Sequence, residues 1–216
     1  MADAGADRCG RVVIREATEQ DVPSLVSIQQ AALPDAILSR LGERFLSNVV
    51  FPAMLTCEGF TFVHVEAGTV DAFVVFSRDS DALTARFTSR KVSLVAYSAW
   101  AVLRTPAFAG DILAYVRKHR LRLTTCLDVD FDDFPELYVI AATPERQSIG
   151  IGSRLVRHGL DRLAKDGQPR CLVKAASPRA SEFYGRLGFD PIGVETRGST
   201  HLQVLLSSPR EAEESQ

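Results

Sequence analysis

The stretch Glu136-Leu-Tyr-Val-Ile-Ala-Ala-Thr-Pro-Glu-Arg-Gln-Ser-Ile-Gly-Ile-Gly-Ser153 constrains this chain more than any other. Leu137 to Thr143 reads as a strand, and it passes through a glycine-bearing turn into a helix from about Gly150 to Lys165 that stops at Gly167. A helix mouth presents N–H groups with no partner inside the helix and carries a partial positive charge, so it suits a phosphate. Gly150 and Gly152 let the backbone come close to such a ligand. A P-loop would need Lys and Ser or Thr straight after its last glycine, and here Ser153 and Arg154 follow. A dinucleotide fingerprint would need a third glycine where Leu155 stands, and the turn lies too late in the chain for a first strand-to-helix unit.

Around this turn the pattern alternates strands and helices. Arg11 to Arg15 is rich in Val and Ile. Thr18, Asp21 and Pro23 then offer a helix start, and a second helix is expected from Asp35 to about Val50. Phe60 to Glu66, the turn Ala67 to Thr69, and Val70 to Ser77 read as a hairpin. Cys171 to Ala175, Phe189 to Val194 and His201 to Leu206 read as further strands. Residues 79–134 read as an inserted helical pair, broken at Pro106 and Gly110 and centred on Tyr97, Trp100, Phe108 and Tyr115. Covering a pocket, forming a homodimer face and building an extra helical layer are three uses for it. Residues 1–10 and 207–216 read as loose tails, which leaves 11–206 as one domain.

Composition excludes several classes. The net charge of -2, from 25 basic and 27 acidic residues, gives no global field for nucleic acid or an anionic membrane. The longest near-apolar run, Ser93 to Leu103, falls short of the ~18 residues a membrane span requires. Cys9, Cys57, Cys126 and Cys171 include no Cys-x-x-Cys pair and follow no secretory leader, which points to a reducing cytoplasm with Cys57, Cys126 and Cys171 as buried thiols. His64, His119, His158 and His201 are scattered, so no metal site is expected.

A second motif, Ala176-Ser-Pro-Arg-Ala-Ser-Glu-Phe-Tyr-Gly-Arg-Leu-Gly-Phe189, reads as a short helix over Pro178 to Leu187. Ser177 suits its N-cap, Pro178 its first position and Gly188 its stop. Ser177, Ser181 and Tyr184 fall at i, i+4 and i+7, so three hydroxyls share a face, while Ala180, Phe183 and Leu187 share another for packing.

Gln147-Ser148-Ile149-Gly150-Ile151-Gly152 resembles the acyl-CoA loop of the GNAT superfamily, with its pattern of Arg or Gln, two residues, Gly, one residue, then Gly or Ala. Ala142-Thr143-Pro144-Glu145 resembles that family's approach to the loop, with Ala142 where Val is usual, and Phe183-Tyr184 with Leu187-Gly188-Phe189 resembles its late helix. The resemblance implies an α/β (α+β) fold: a central mixed, mostly antiparallel sheet of about six or seven strands flanked by helices, with a helical insertion between the third and fourth strands. It implies acetyl-CoA, or another acyl-CoA, as co-substrate and a small-molecule, peptide or protein amine as acceptor.

Leu137 to Thr143 and Cys171 to Ala175 would splay to admit the pantetheine arm, with the Ile140-Ala141-Ala142 backbone bonding its amides. Thr143 through Ser153 would hold the pyrophosphate, and the hydroxyl face of Ser177, Ser181 and Tyr184 would meet the donor. Tyr184 would assist the departing thiolate after direct attack by the amine. Asp128, Asp130, Asp132, Asp133 and Glu136 precede the fourth strand, and Asp133 and Glu136, nearest to it, are the candidate bases. His64 reads as a structural histidine, and Cys126 and Cys171 as core thiols without the local partners of a nucleophile. Two other classes stand beside this one. A catalytically idle acyl-CoA sensor would bind CoA and release no thiol with any amine, and a nucleotide-binding regulator would prefer ATP or NAD.

Overall fold

A computed structural model of the chain describes residues 12–56, 59–89, 134–197 and 200–209. Residues 1–11, 57–58, 90–133, 198–199 and 210–216 lie outside the described residues, and with them most of the helical insertion expected over 79–134, the tail expected over 1–10, most of the one expected over 207–216, and Asp128, Asp130, Asp132, Asp133, His119, Cys9, Cys57 and Cys126.

The Val and Ile run forms β1 (Val12–Glu16), and Thr18 to Asp21 turn the chain into α1 (Val22–Ala32). The Asp21 carboxylate fixes that turn, accepting hydrogen bonds from the Thr18 N–H (2.8 Å) and hydroxyl (2.9 Å) and from Arg15 on β1. The single helix expected over Asp35 to Val50 is instead α2 (Ile37–Arg40), α3 (Glu43–Phe45), a π-helical turn at Leu46–Val50 and α4 (Phe51–Thr56). Gly42, at φ 96°, interrupts the run. Phe45, Leu46, Val49, Val50, Phe51 and Met54 keep one buried face throughout.

The hairpin forms as β2 (Gly59–Glu66) and β3 (Thr69–Ser77), followed by α5 (Ser80–Ser89). Then come β4 (Glu136–Ala142), α6 (Ile151–Lys165), β5 (Leu172–Ala175), α7 (Pro178–Gly185), β6 (Phe189–Arg197) and β7 (Thr200–Ser207). The strands make one seven-stranded sheet in the order β1-β2-β3-β4-β5-β7-β6. Its neighbours are antiparallel except β4 and β5, so the mixed, mostly antiparallel sheet flanked by helices is as expected.

Period-2 alternation sorts the strand residues between two cores. Val63, Phe73, Val75 and Ala141 face α1 to α4, with Leu25, Phe45 and Phe51. Phe62, Val74, Phe76, Leu137 and Val173 face α6 and α7, with Leu155, Leu160 and Tyr184. Gly159 brings α6 onto the sheet: a Cβ there would stand 2.0 Å from the Phe76 ring.

Candidate active site

β4 is paired along its whole length with β3 but barely with β5. The parallel pairing covers Glu136 with Leu172 and Leu137 with Val173 and then stops, while Lys174 and Ala175 continue only with β7. Among the described residues, the edge from Tyr138 to Ala142 is left open over about 16 Å. Which backbone groups face that opening follows from alternation in an antiparallel ladder. The Thr143 N–H donates to the Asp71 carbonyl (2.9 Å), and Ala142 stands opposite Ala72 and Ile140 opposite Val74. The N–H and C=O of Ile140 and Ala142 therefore point away from β3, into the splay, whereas those of Ala141 face Phe73. Ala141, expected among the donor contacts, is instead a spacer with its side chain in the α1–α4 core. A bulge lies at the closed end of the splay: the partner of β4 jumps from Val139 opposite Val75 to Leu137 opposite Phe76, which leaves Tyr138 as the extra residue.

At the open end, Pro144–Arg146 makes one 3₁₀ turn, and Ser148 (φ 66°) and Gly150 (φ 88°) are both left-handed. A left-handed serine is held at an energetic cost, of the kind found where a turn is shaped for a ligand. The first bond of α6 runs from the Arg154 N–H to the Gly150 carbonyl (3.1 Å), so the N–H groups of Ile151, Gly152 and Ser153 come before any partner in the helix. Gln147, Ser148, Ile149 and Gly150 are exposed around this mouth, Ile149 to 55%. The Gln147 side chain bonds back to the Ala142 carbonyl (3.2 Å), and Arg179 of α7 donates to the Ser148 hydroxyl oxygen (3.4 Å).

On α7 the expected hydroxyl face is corrected. Ser177 caps the helix, accepting from the Ala180 N–H (3.2 Å), and the Ser181 hydroxyl donates to the Ser177 carbonyl (3.3 Å). Both hydroxyls thus serve the helix end. Tyr184 is only 6% exposed and packs with the apolar face, its ring 5.1 Å from Phe183 and 5.6 Å from Phe189. Burial, and then the neighbouring Cys171, push its hydroxyl well above the usual tyrosine range, so it stays a neutral donor. Cys171, fully buried, is the expected core thiol; burial raises it far from thiolate formation. It immediately precedes β5, so Tyr184 lies beside the closed end of the splay, on the α6–α7 side.

Glu136 is at the same closed end on the opposite face, since Leu137 packs toward α6. Its carboxylate is 8% exposed and accepts from the Ser80 hydroxyl (2.6 Å) and the Lys174 ammonium (3.0 Å), and Lys174 also approaches Glu195 (3.5 Å). Ser80, Lys174 and Glu195 carried no sequence signal, because only the sheet order brings β4, β5 and β6 together. His64 is fully buried and bonded through Nδ1 to Asp71 (2.6 Å), as a structural histidine would be. Among the described residues no group of His, Cys, Asp and Glu could hold a metal.

The sequence model of the acetyltransferase (GNAT) family matches residues 57–189, well over half of the chain. The chain belongs to the GNAT acetyltransferase family. That span takes in β2 to the start of β6, with the open edge of β4, the glycine turn and Tyr184 all inside it. A search of curated protein sequences finds no match. Solved GNAT structures are alike in fold at low identity. An acetyltransferase from Corynebacterium glutamicum described as related to histone acetyltransferase HPA2 is 17% identical, with 94% of this chain and 99% of that one covered and a TM-score of 0.59. The ribosomal-protein-S18-alanine N-acetyltransferase of Escherichia coli is 17% identical, covering 93% and 95%, with a TM-score of 0.56. A GNAT acetyltransferase from Brucella melitensis, solved in complex with acetyl-CoA, is 18% identical, covering 92% and 90%, with a TM-score of 0.50. No helix among the described residues is long and apolar enough to cross a membrane.

Proposed function

We propose that the protein is an N-acyltransferase that moves an acetyl or other short acyl group from acyl-CoA to an amine by direct attack. The observation that carries this reading is the early end of the β4–β5 pairing, between a helix mouth at one end of the open edge and Tyr184 at the other. The Ile140 and Ala142 backbone would take the pantetheine amides as an added strand would, and the Ile151, Gly152 and Ser153 N–H groups would meet the diphosphate. The thioester would then lie at the closed end, where an N–H released by the Tyr138 bulge can face its carbonyl oxygen as charge develops.

The amine enters from the face of Glu136, opposite Tyr184. Glu136, already paired with Lys174, takes the amine's proton directly or through water. The C–S bond breaks as the C–N bond forms, and the leaving thiolate accepts a hydrogen bond from the Tyr184 hydroxyl. A tyrosine raised above its usual ~10 does not give up its proton early to a thiolate whose acid titrates near ~8.5, so hydrogen bonding comes first and transfer late. Asp133, the other candidate base, lies outside the described residues.

The test is free-thiol release from acetyl-CoA and longer acyl-CoAs across a library of small amines, aminosugars and peptides with free N-termini or lysines. Thiol release that depends on one amine class, with the acyl group recovered on that amine, is expected. Tight CoA binding without thiol release from any amine would replace the enzyme with a sensor, and a stronger thermal shift with ATP or NAD than with CoA would remove the donor site.

A further inference from the structure

Behind the glycine turn, on the side away from the splay, lies a chain of charged and polar groups that the mechanism does not use. Asp71 stands at an irregularity in β3, where the pairing steps from His64 opposite Ala72 to Val65 opposite Val70 and leaves Asp71 without an opposite residue. Only 7% of it is exposed. One carboxylate oxygen accepts from His64 Nδ1 (2.6 Å) and the other from Arg146 Nε (3.0 Å), while Arg146 also pairs with Glu66. The Asp71 carbonyl accepts the Thr143 N–H (2.9 Å).

A single residue thus grips both ends of the Pro144–Arg146 turn, its start through the backbone and its end through the side chain. His64 is fully buried and, among the described residues, its Nε2 has no partner, so the ring's one bond to them is to Asp71. A carboxylate can only accept, so that bond places the hydrogen on Nδ1 and holds Asp71 in one rotamer.

We propose that Asp71, oriented by His64 and clamping Arg146, is a positioning residue that presets the glycine turn for the diphosphate of the acyl donor. This rests on the acyl-CoA reading of the site. Gln147 follows Arg146 directly, so a turn held at Thr143 and Arg146 fixes where the left-handed Ser148 and the helix mouth begin. Without the clamp, the donor would have to order this approach itself, and the loss falls on binding of the diphosphate rather than on the acyl-transfer step.

The test compares two donors, acetyl-CoA and S-acetylpantetheine, which has the thioester and amides but no diphosphate. Asp71→Asn and the more exposed Arg146→Gln should each raise KM for acetyl-CoA about tenfold, or ~1.4 kcal/mol. For both, KM for S-acetylpantetheine and kcat at saturation should stay within about twofold of the unaltered protein. His64→Asn, whose amide can still donate to Asp71, should keep most of the acetyl-CoA affinity that His64→Leu loses. Equal losses with both donors, or no loss with acetyl-CoA in Arg146→Gln, would overturn the proposal while leaving the donor site standing. If the unaltered protein itself prefers neither acetyl-CoA nor any CoA ester, both readings fall.

Discussion

On the α6–α7 face, the open edge of β4 has backbone N–H groups and two glycines at one end, and the buried ring of Tyr184 lies beside the closed end. On the α1–α4 face, the closed end of the same splay is finished by side-chain charge: Glu136, Lys174 and Glu195, with Ser80 bonded to the first. The contrast fits what each side would meet. A diphosphate and two amides are recognised by backbone geometry, which glycines and helix ends supply. An amine that must lose a proton requires a titratable acceptor, which only side chains supply.

The largest effect expected on the first face is mechanical. Gly159→Ala drives a methyl group into the Phe76 ring, which is 1% exposed, and should cost about 3 kcal/mol, lowering Tm by roughly 10 °C in a thermal scan. An unchanged Tm would mean that α6 can lift off the sheet, and the donor face would lose its claim to rigidity. Next, Tyr184→Phe should lower kcat at saturating acyl-CoA about a hundredfold while moving KM less than threefold. An equal effect on binding would make the ring, and not the hydroxyl, the contribution of Tyr184.

Across the sheet, Glu136→Gln keeps the shape but removes a proton acceptor. We expect kcat to drop about tenfold at neutral pH, with the gap narrowing toward pH 10, where the acceptor amine loses its own proton. A deficit constant across that range would assign Glu136 to holding Lys174 alone. The smallest effect concerns the α1 end of that face. Hydrogen bonds from Arg15 hold the Asp21 carboxyl at about 2, below its usual 3.8, so the folded state prefers the charged form more than the unfolded chain does. The stabilisation is present above about pH 4 and is lost as pH falls through 2. Because Arg15 is 41% exposed, its size is about 1 kcal/mol, less than the shift alone implies. Asp21→Asn should therefore flatten the decline in urea stability between pH 4 and 2.

Legibility in the sequence followed distance along the chain. The turn from Gln147 to Gly152 and the capped helix at Ser177 are local devices, and both form as their residues dictate. On α7 the local stripe and the packing part ways. Hydroxyls at i, i+4 and i+7 do share a stripe, but hydrophobic burial against Phe189 decided that the Tyr184 ring belongs to the core. Glu136, the first residue of β4, is legible as a carboxylate, whereas its ion pair with Lys174, 38 residues on, is not.

The sequence by itself determined the apolar periodicities that make seven strands and their helices, and the glycine and capping residues that shape the helix mouth, because these depend on torsions and neighbours within a few residues. The tertiary structure alone decided where β4 parts from β5, which face Glu136 takes, and that Asp71 joins His64 to Arg146. Those outcomes depend on register and strand order, which bring together residues up to 82 positions apart, from His64 to Arg146, with no local signature of the meeting.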